Sequence, residues 1–290
     1  MAATNDRLHM SRLIIEADRA ERAYWSDLWR YRELFFFLSW RDILVRYKQT
    51  TIGILWALIR PILTIAIFTV VFGKLAKMDS EGIPFPVFVC AATLPWQFFA
   101  TAMSESSNSL IANANMLSKI YFPRIIIPAS AVMVSFVDLL ISLVILAALM
   151  AWYQVAPNWR LVTLPLFTGL GLFAALGVGF WLSALNVRYR DFRYVIPFIV
   201  QFGFFLSPVG YSRDEILRNM GDSFLGPVIY ALYPFNPMVG VINGFRWAIG
   251  GAPHLLDWNS IWISILVTTL LLVFGLRYFR ATEETFADII

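Results

Sequence analysis

Six stretches of mainly apolar residues, separated by short polar connections, dominate the chain: about residues 52–72, 85–103, 125–152, 161–185, 195–211 and 261–279. A bilayer core about 30 Å thick takes roughly 20 apolar residues in one helix. The pattern therefore predicts an all-α integral membrane protein with six transmembrane helices. Ahead of the first span, residues 33–49 are amphipathic instead. Phe36, Trp40, Ile43 and Tyr47 recur at helical spacing while Asp42, Arg46 and Gln49 fall on another face, as in a helix lying in the headgroup plane; a soluble helix packed on a partner is the alternative.

Between the last two spans, residues 212–258 are ambiguous. Residues 224–249 are apolar enough to suggest a seventh span, but Pro227, Pro234, Asn236, Pro237, Asn243 and Arg246 interrupt them. Broken backbone at membrane depth is tolerated where protein covers it. One or two short helices that dip into the outer leaflet and return are expected here.

Charge decides the orientation. With six spans and both termini cytoplasmic, sixteen Lys and Arg fall inside and six outside, leaving Arg60 within the first span; cytoplasmic connections carry such an excess. A seventh span would move Arg277 and Arg280 to the outer side. The first 32 residues are polar, with Arg7, Arg12, Glu16, Asp18, Arg19, Glu21 and Arg22. They read as a separate cytoplasmic segment without a signal peptide's apolar core.

Composition agrees: 59% of the 290 residues are hydrophobic and 14% charged, with mean hydropathy +0.67, which points to lipid as the solvent. The pI near 9.3 reflects topology, since the cations are distributed by membrane side rather than gathered as for nucleic acid. A single cysteine, Cys90, sits in an apolar run, which excludes an intrachain disulfide and reads as a core residue. There is no internal repeat, no GxxxxGK[ST] phosphate loop and no GxGxxG turn, so the chain does not hydrolyse ATP alone. His9 and His254, the two histidines, have no second ligand at helical spacing, and no metal site is expected.

Charges within spans are costly unless paired or wet. Arg60 and Asp138 lie well inside, and either pair with each other or face a hydrated path separately. Glu105 falls just past the second apolar stretch, near the cytoplasmic surface. A proton-coupled carrier would show more acidic or histidine relays. The tryptophans, among them Trp40, Trp56, Trp96, Trp152, Trp159, Trp181, Trp247, Trp258 and Trp262, cluster near span ends. They are either interfacial anchors or, in part, the lining of a wide conduit. Gly171, Ala175, Gly179 and Ser183 make a ladder of small residues on the fourth span, for packing within the subunit or at a dimer seam.

Four stretches resemble the ABC-2 type permeases that export O-antigen, capsule and teichoic acid polysaccharides. They are Arg41-Asp42-Ile43-Leu44-Val45-Arg46-Tyr47-Lys48 running to Gly53-Ile54-Leu55-Trp56-Ala57; Asn113-Ala114-Asn115-Met116-Leu117-Ser118-Lys119-Ile120-Tyr121-Phe122-Pro123-Arg124; Asn186-Val187-Arg188-Tyr189-Arg190-Asp191 with Pro208 beyond the next span; and Asn236-Pro237-Met238. The resemblance runs from about residue 30 to the end and makes residues 33–290 one ABC-2 type transmembrane domain. It implies a homodimer in the inner membrane with two separate ATPase subunits, which hold the ATP and Mg; this chain holds no cofactor. Arg41, Arg46, Lys48, Asn115, Lys119, Tyr121, Phe122 and Arg124 would face those ATPases. Residues 212–258 would form a re-entrant outer gate. Trp56, Trp96, Trp181, Tyr233 and Trp247, with Arg60 and Asp138, would line a channel for a lipid-linked polysaccharide, O-antigen favoured over capsule or teichoic acid. Arg60 departs from the uncharged residue the family leads one to expect. Competing readings are an ABC-2 exporter of drugs or free lipids, an ATPase-independent flippase, and a membrane transferase using Glu215 and Asp222 near His254.

Overall fold

A computed structural model describes residues 20–48, 55–117, 119–212, 215, 225–250 and 256–286. Among these the secondary structure is entirely helical. Two helices precede the spans, α1 (Ala20–Arg30) and α2 (Arg32–Lys48). Next come α3 (Leu55–Phe68), prolonged by a π-type turn over Thr69–Leu75, and α4 (Phe85–Ala112). The short α5 (Ala114–Leu117) leads to α6 (Ile126–Trp152), and a 3₁₀ turn, Trp159–Thr163, leads into α7 (Leu164–Arg188). The remainder is α8 (Phe192–Leu206), α9 (Leu225–Leu232), a 3₁₀ turn at Tyr233–Phe235, α10 (Pro237–Gly250) and α11 (Trp258–Glu283). The expected features at His9, Gly53, Ile54, Asp222 and His254, and most of the polar N-terminal segment, lie outside the described residues.

Among the described residues, five helices are long and apolar enough to cross a membrane: Leu55–Leu75, Phe85–Ala112, Ile126–Trp152, Trp159–Arg188 and Trp258–Glu283. The sixth expected span, 195–211, is the 15-residue α8, about 22 Å long at 1.5 Å per residue. It stops at Leu206 because Ser207 precedes Pro208 and takes an extended conformation, ψ 150°, as pre-proline residues do.

At the centre lies α4, with 78% of its apolar window buried against 11% for α3. Pro84 caps its start and Pro86 occupies the first turn, where a missing N–H costs nothing. It outruns its apolar stretch by nine residues, where Ser107, Asn108 and Ser109 bond back to carbonyls of the helix while the buried Ser106 hydroxyl has no partner among the described residues. Ser107 and Asn108 bond the Ser104 carbonyl at 2.8 Å, and Ser109 bonds that of Ser106 at 2.7 Å. Glu105 is therefore a residue within α4, not one beyond it.

The small ladder of α7 packs inside the subunit: Gly171 faces Val241 and Phe98, Gly179 faces Ser106, and Ala175 and Ser183 are fully buried. The tightest crossing involves neighbouring residues. A Cβ on Gly177 would lie 2.6 Å from the Leu272 backbone nitrogen, and one on Gly275 would lie 2.2 Å from the Gly177 carbonyl oxygen. Only glycine at both positions lets α7 and α11 approach this closely. Cys90 is buried in the core, as expected.

Over the described part of 212–258, two short helices replace a span: α9 has 8 residues and α10 has 14, about 12 and 21 Å against a core of about 30 Å. The Asn236-Pro237-Met238 stretch starts α10. Asn236 accepts a hydrogen bond from the Met238 N–H at 3.0 Å and donates to Ser207 Oγ at 2.8 Å, while Pro237 takes the first helical position. That joins an N-cap to the break after α8.

Candidate functional site

The polar face of α2 is turned into the membrane domain. Arg46 bridges Glu105 of α4 and Asp138 of α6, 3.1 Å to each carboxylate, and the Tyr47 hydroxyl donates a hydrogen bond to Asp138. Burial and that bond push the Tyr47 hydroxyl above its usual range, so it stays a proton donor. The buried face of α2 is Leu38 and Ser39, whereas Phe36, Phe37 and Trp40 are exposed. The expected aromatic stripe therefore splits, with Tyr47 going to the packed side because Asp138 gives its hydroxyl an acceptor.

Arg60 and Asp138 do not pair: Asp138 is taken by Arg46 and Tyr47, and among the described residues Arg60 makes no ion pair. Both line a cavity of about 280 Å³ between α2, α3, α4 and α6, with Trp56, Gln97 and Thr101. A second cavity, about 560 Å³, shares Arg46, Arg60, Gln97 and Thr101 and reaches α8 through Gln201 and Phe204. A third, about 600 Å³ and mainly apolar, lies between Trp96, Trp181, Leu206 and Tyr233.

Trp96, 4% exposed, is shared by the second and third cavities. It is held between Phe99, 5.8 Å between ring centroids, and Phe204, 6.3 Å. Trp181 packs edge-on to Phe274 at 5.4 Å. Trp247 lines none of these three cavities. It stacks edge-on with Trp159 and Phe167, with the Arg160 guanidinium 5.1 Å over its ring.

The residues proposed to face ATPases divide. Lys48, Asn115, Lys119 and Tyr121 are exposed, Tyr121 at 68%. Arg46 is directed inward, as above. Phe122, 4% exposed, is an anchor: it packs in a cluster with Leu38, Phe180, Phe279 and Phe286, because apolar surface from α2, α7 and α11 converges beneath this loop. Arg41 bonds Asp42 at 2.8 Å and Asn113 Oδ1 at 3.3 Å, and Arg124 donates to the Glu283 backbone carbonyl. Tyr24 of α1 donates to the Glu283 carboxylate at 3.2 Å beneath the Arg280 guanidinium, and burial pushes its hydroxyl up. One rigid end of the molecule therefore joins α1, α2, the 113–124 loop and the last helix, and displays Lys119, Ile120 and Tyr121 outward.

Arg246, counted with the cations of the outer side and within the expected re-entrant helices, is 2% exposed. Its guanidinium donates to the carbonyls of Pro208 at 2.6 Å, Val209 at 3.2 Å and Tyr211 at 3.2 Å, and lies 3.5 Å over the Phe88 ring. Only its apolar surroundings, Ala248 and Ile249 after Phe245, hinted at burial. Of the groups considered for a transferase, Glu215 alone falls within the described residues.

Comparison with known proteins agrees with this architecture. Residues 33–249 match the ABC-2 type transporter model. The chain is 27% identical to an O-antigen export system permease protein RfbA of Myxococcus xanthus, over 90% of this chain and 97% of the relative. A Klebsiella pneumoniae protein of the same name is 29% identical, over 89% and 95%. The polysialic acid transport protein KpsM of Escherichia coli is 22% identical, over 84% and 91%. The chain is a multi-pass membrane protein that belongs to the ABC-2 type transporter family.

Proposed function

We propose that this chain is the permease subunit of an ATP-driven exporter of a lipid-linked cell-surface polysaccharide, with O-antigen favoured over capsule or teichoic acid. The observation that carries the reading is near full-length similarity to O-antigen export and polysialic acid transport proteins. The polar cavities around Arg46, Arg60, Gln97 and Gln201 accord with it, since a sugar chain crosses hydrocarbon only where polar groups and water replace lipid. ATP is hydrolysed by separate ATPase subunits, bound with Mg there and not here. Two copies of the chain form the conduit with two such ATPases, in the inner membrane with both termini in the cytoplasm, a reading the Lys and Arg distribution supports.

Energy enters through the end that displays Lys119, Ile120 and Tyr121. Movement there reaches the spans through Arg46, which joins α2 to α4 and α6. The chain binds, orients and encloses, and no bond is made or broken on it. Purification from its own membrane tests the scheme. An ATPase should copurify, with turnover that collapses in Tyr121→Asp. Full transport by the isolated chain in ATPase-free liposomes would defeat it.

A further inference from the structure

The 560 Å³ cavity has two kinds of wall. On the side of α2 it presents Arg46, Arg60, Gln97, Thr101 and Glu105, and farther away Ile67, Phe68, Phe204 and Phe205. The rings of Phe68 and Phe204 meet at 5.1 Å and join α3 to α8. Beside the cavity, Leu63 and Ile67 of α3 and Phe202 and Phe205 of α8 are exposed, so an apolar surface flanks its polar part.

The cations differ. Arg46 is answered by Glu105 and Asp138. Arg60, one turn into the least buried span, makes no ion pair within 4 Å among the described residues; its nearest carboxylate influence is Asp138 across the smaller cavity, already bonded by Arg46 and Tyr47. A charge at this depth is costly unless an anion or water meets it. Hydrogen-bond donors stand near it unspent: the Thr101 hydroxyl and the Gln201 amide make no side-chain hydrogen bond among the described residues, and Gln97 uses one amide hydrogen, on Thr64 Oγ1 at 3.3 Å. A cation with uncommitted hydroxyl and amide donors matches phosphate oxygens, which guanidinium groups take in a forked pair of charge-assisted bonds.

We propose that this cavity is the docking site for the phosphate group of a lipid-linked substrate, with Arg60 on the phosphate oxygens and the lipid chain along the apolar surfaces of α3 and α8. The inference rests on the exporter reading above and adds the substrate group recognised and the residue that recognises it. Arg60→Lys keeps the charge, Arg60→Gln removes it, and Thr101→Val removes one donor at constant volume.

The test uses the permease with its ATPase in phosphatidylcholine nanodiscs carrying polyprenyl phosphate, the matching polyprenol, or phosphatidylglycerol, with retained lipid read by native mass spectrometry. A parallel arm adds inorganic pyrophosphate. Polyprenyl phosphate should be retained over both other lipids. Its retention should fall about tenfold to a hundredfold in Arg60→Gln, as expected for loss of a charged hydrogen bond, fall less in Thr101→Val, and persist in Arg60→Lys. Equal retention of phosphate and alcohol, or of phosphatidylglycerol, overturns the proposal. So do unchanged retention in both Arg60→Gln and Thr101→Val, binding of soluble pyrophosphate without the lipid form, and dissociation of Arg60→Gln into monomers, which would assign Arg60 to a contact between copies. Export itself is judged separately from surface glycan in a deletion strain, so the exporter reading survives failure here.

Discussion

Arg46 and Asp138 lie 3.1 Å apart, and through them the helix ahead of the spans is fastened to the middle of α6. The same guanidinium reaches Glu105 of α4, so one side chain ties three helices. Arg46→Gln leaves two carboxylates without their cation and is expected to cost about 1–3 kcal/mol. Melting of the purified complex checks this. Arg46→Gln with Asp138→Asn should recover part of the loss, and strictly additive effects would show that the two residues are not coupled.

Arg246 fastens the opposite region, holding three carbonyls after α8 from the middle of α10. Lysine cannot reproduce the planar fork. Arg246→Lys should destabilise the protein, read as a lower melting temperature, and Arg246→Met should destabilise it further, by about 1–3 kcal/mol for each carbonyl left without a donor. A wild-type melting temperature in Arg246→Met would show that α10 is held by its apolar contacts alone.

Gly177 and Gly275 mark the closest helix crossing. Alanine at either should cost about 1–3 kcal/mol, because overpacking moves backbone against backbone. Gly171→Ala, whose Cβ would rest 3.6 Å from Val241, should be tolerated. Thermal unfolding of the three variants separates close approach from the mere presence of glycine.

How much of this was legible beforehand follows from what sequence patterns encode. Apolar runs show where helices lie: all six expected spans are helices at nearly the expected positions, and five of them are long and apolar enough to cross a membrane. Helix ends depended on details that the runs do not carry. The hydroxyls of Ser107 and Ser109 bond back within α4, and Ser207-Pro208 ends α8 early. In the candidate site, cations were counted by membrane side, which says nothing about their partners. Arg60 and Asp138 stood out because charges in spans are rare, but the partner of Asp138 came from α2, 92 residues earlier in the chain by way of Arg46. Arg246 is legible only as a cation of the outer side, whereas its burial depends on carbonyls that only the folded chain brings together.

Tyr121 and Phe122 are neighbours with opposite environments, 68% and 4% exposed. Tyr121→Ala should leave stability within about 0.5 kcal/mol while weakening the ATPase contact. Phe122→Ala should cost about 3–5 kcal/mol. Melting measured alongside ATPase copurification distinguishes an interface residue from an anchor, and equal destabilisation by both would place Tyr121 in the core.

The most direct test of the central claim is sugar analysis of the cell surface in a strain lacking this chain, complemented either by the wild type or by the wild type with its ATPase inactivated. The account predicts that one surface polysaccharide disappears, accumulates inside on its lipid carrier, and returns only when chain and ATPase are both functional. An unchanged surface glycan in the deletion strain, or full restoration with the inactive ATPase, would contradict it.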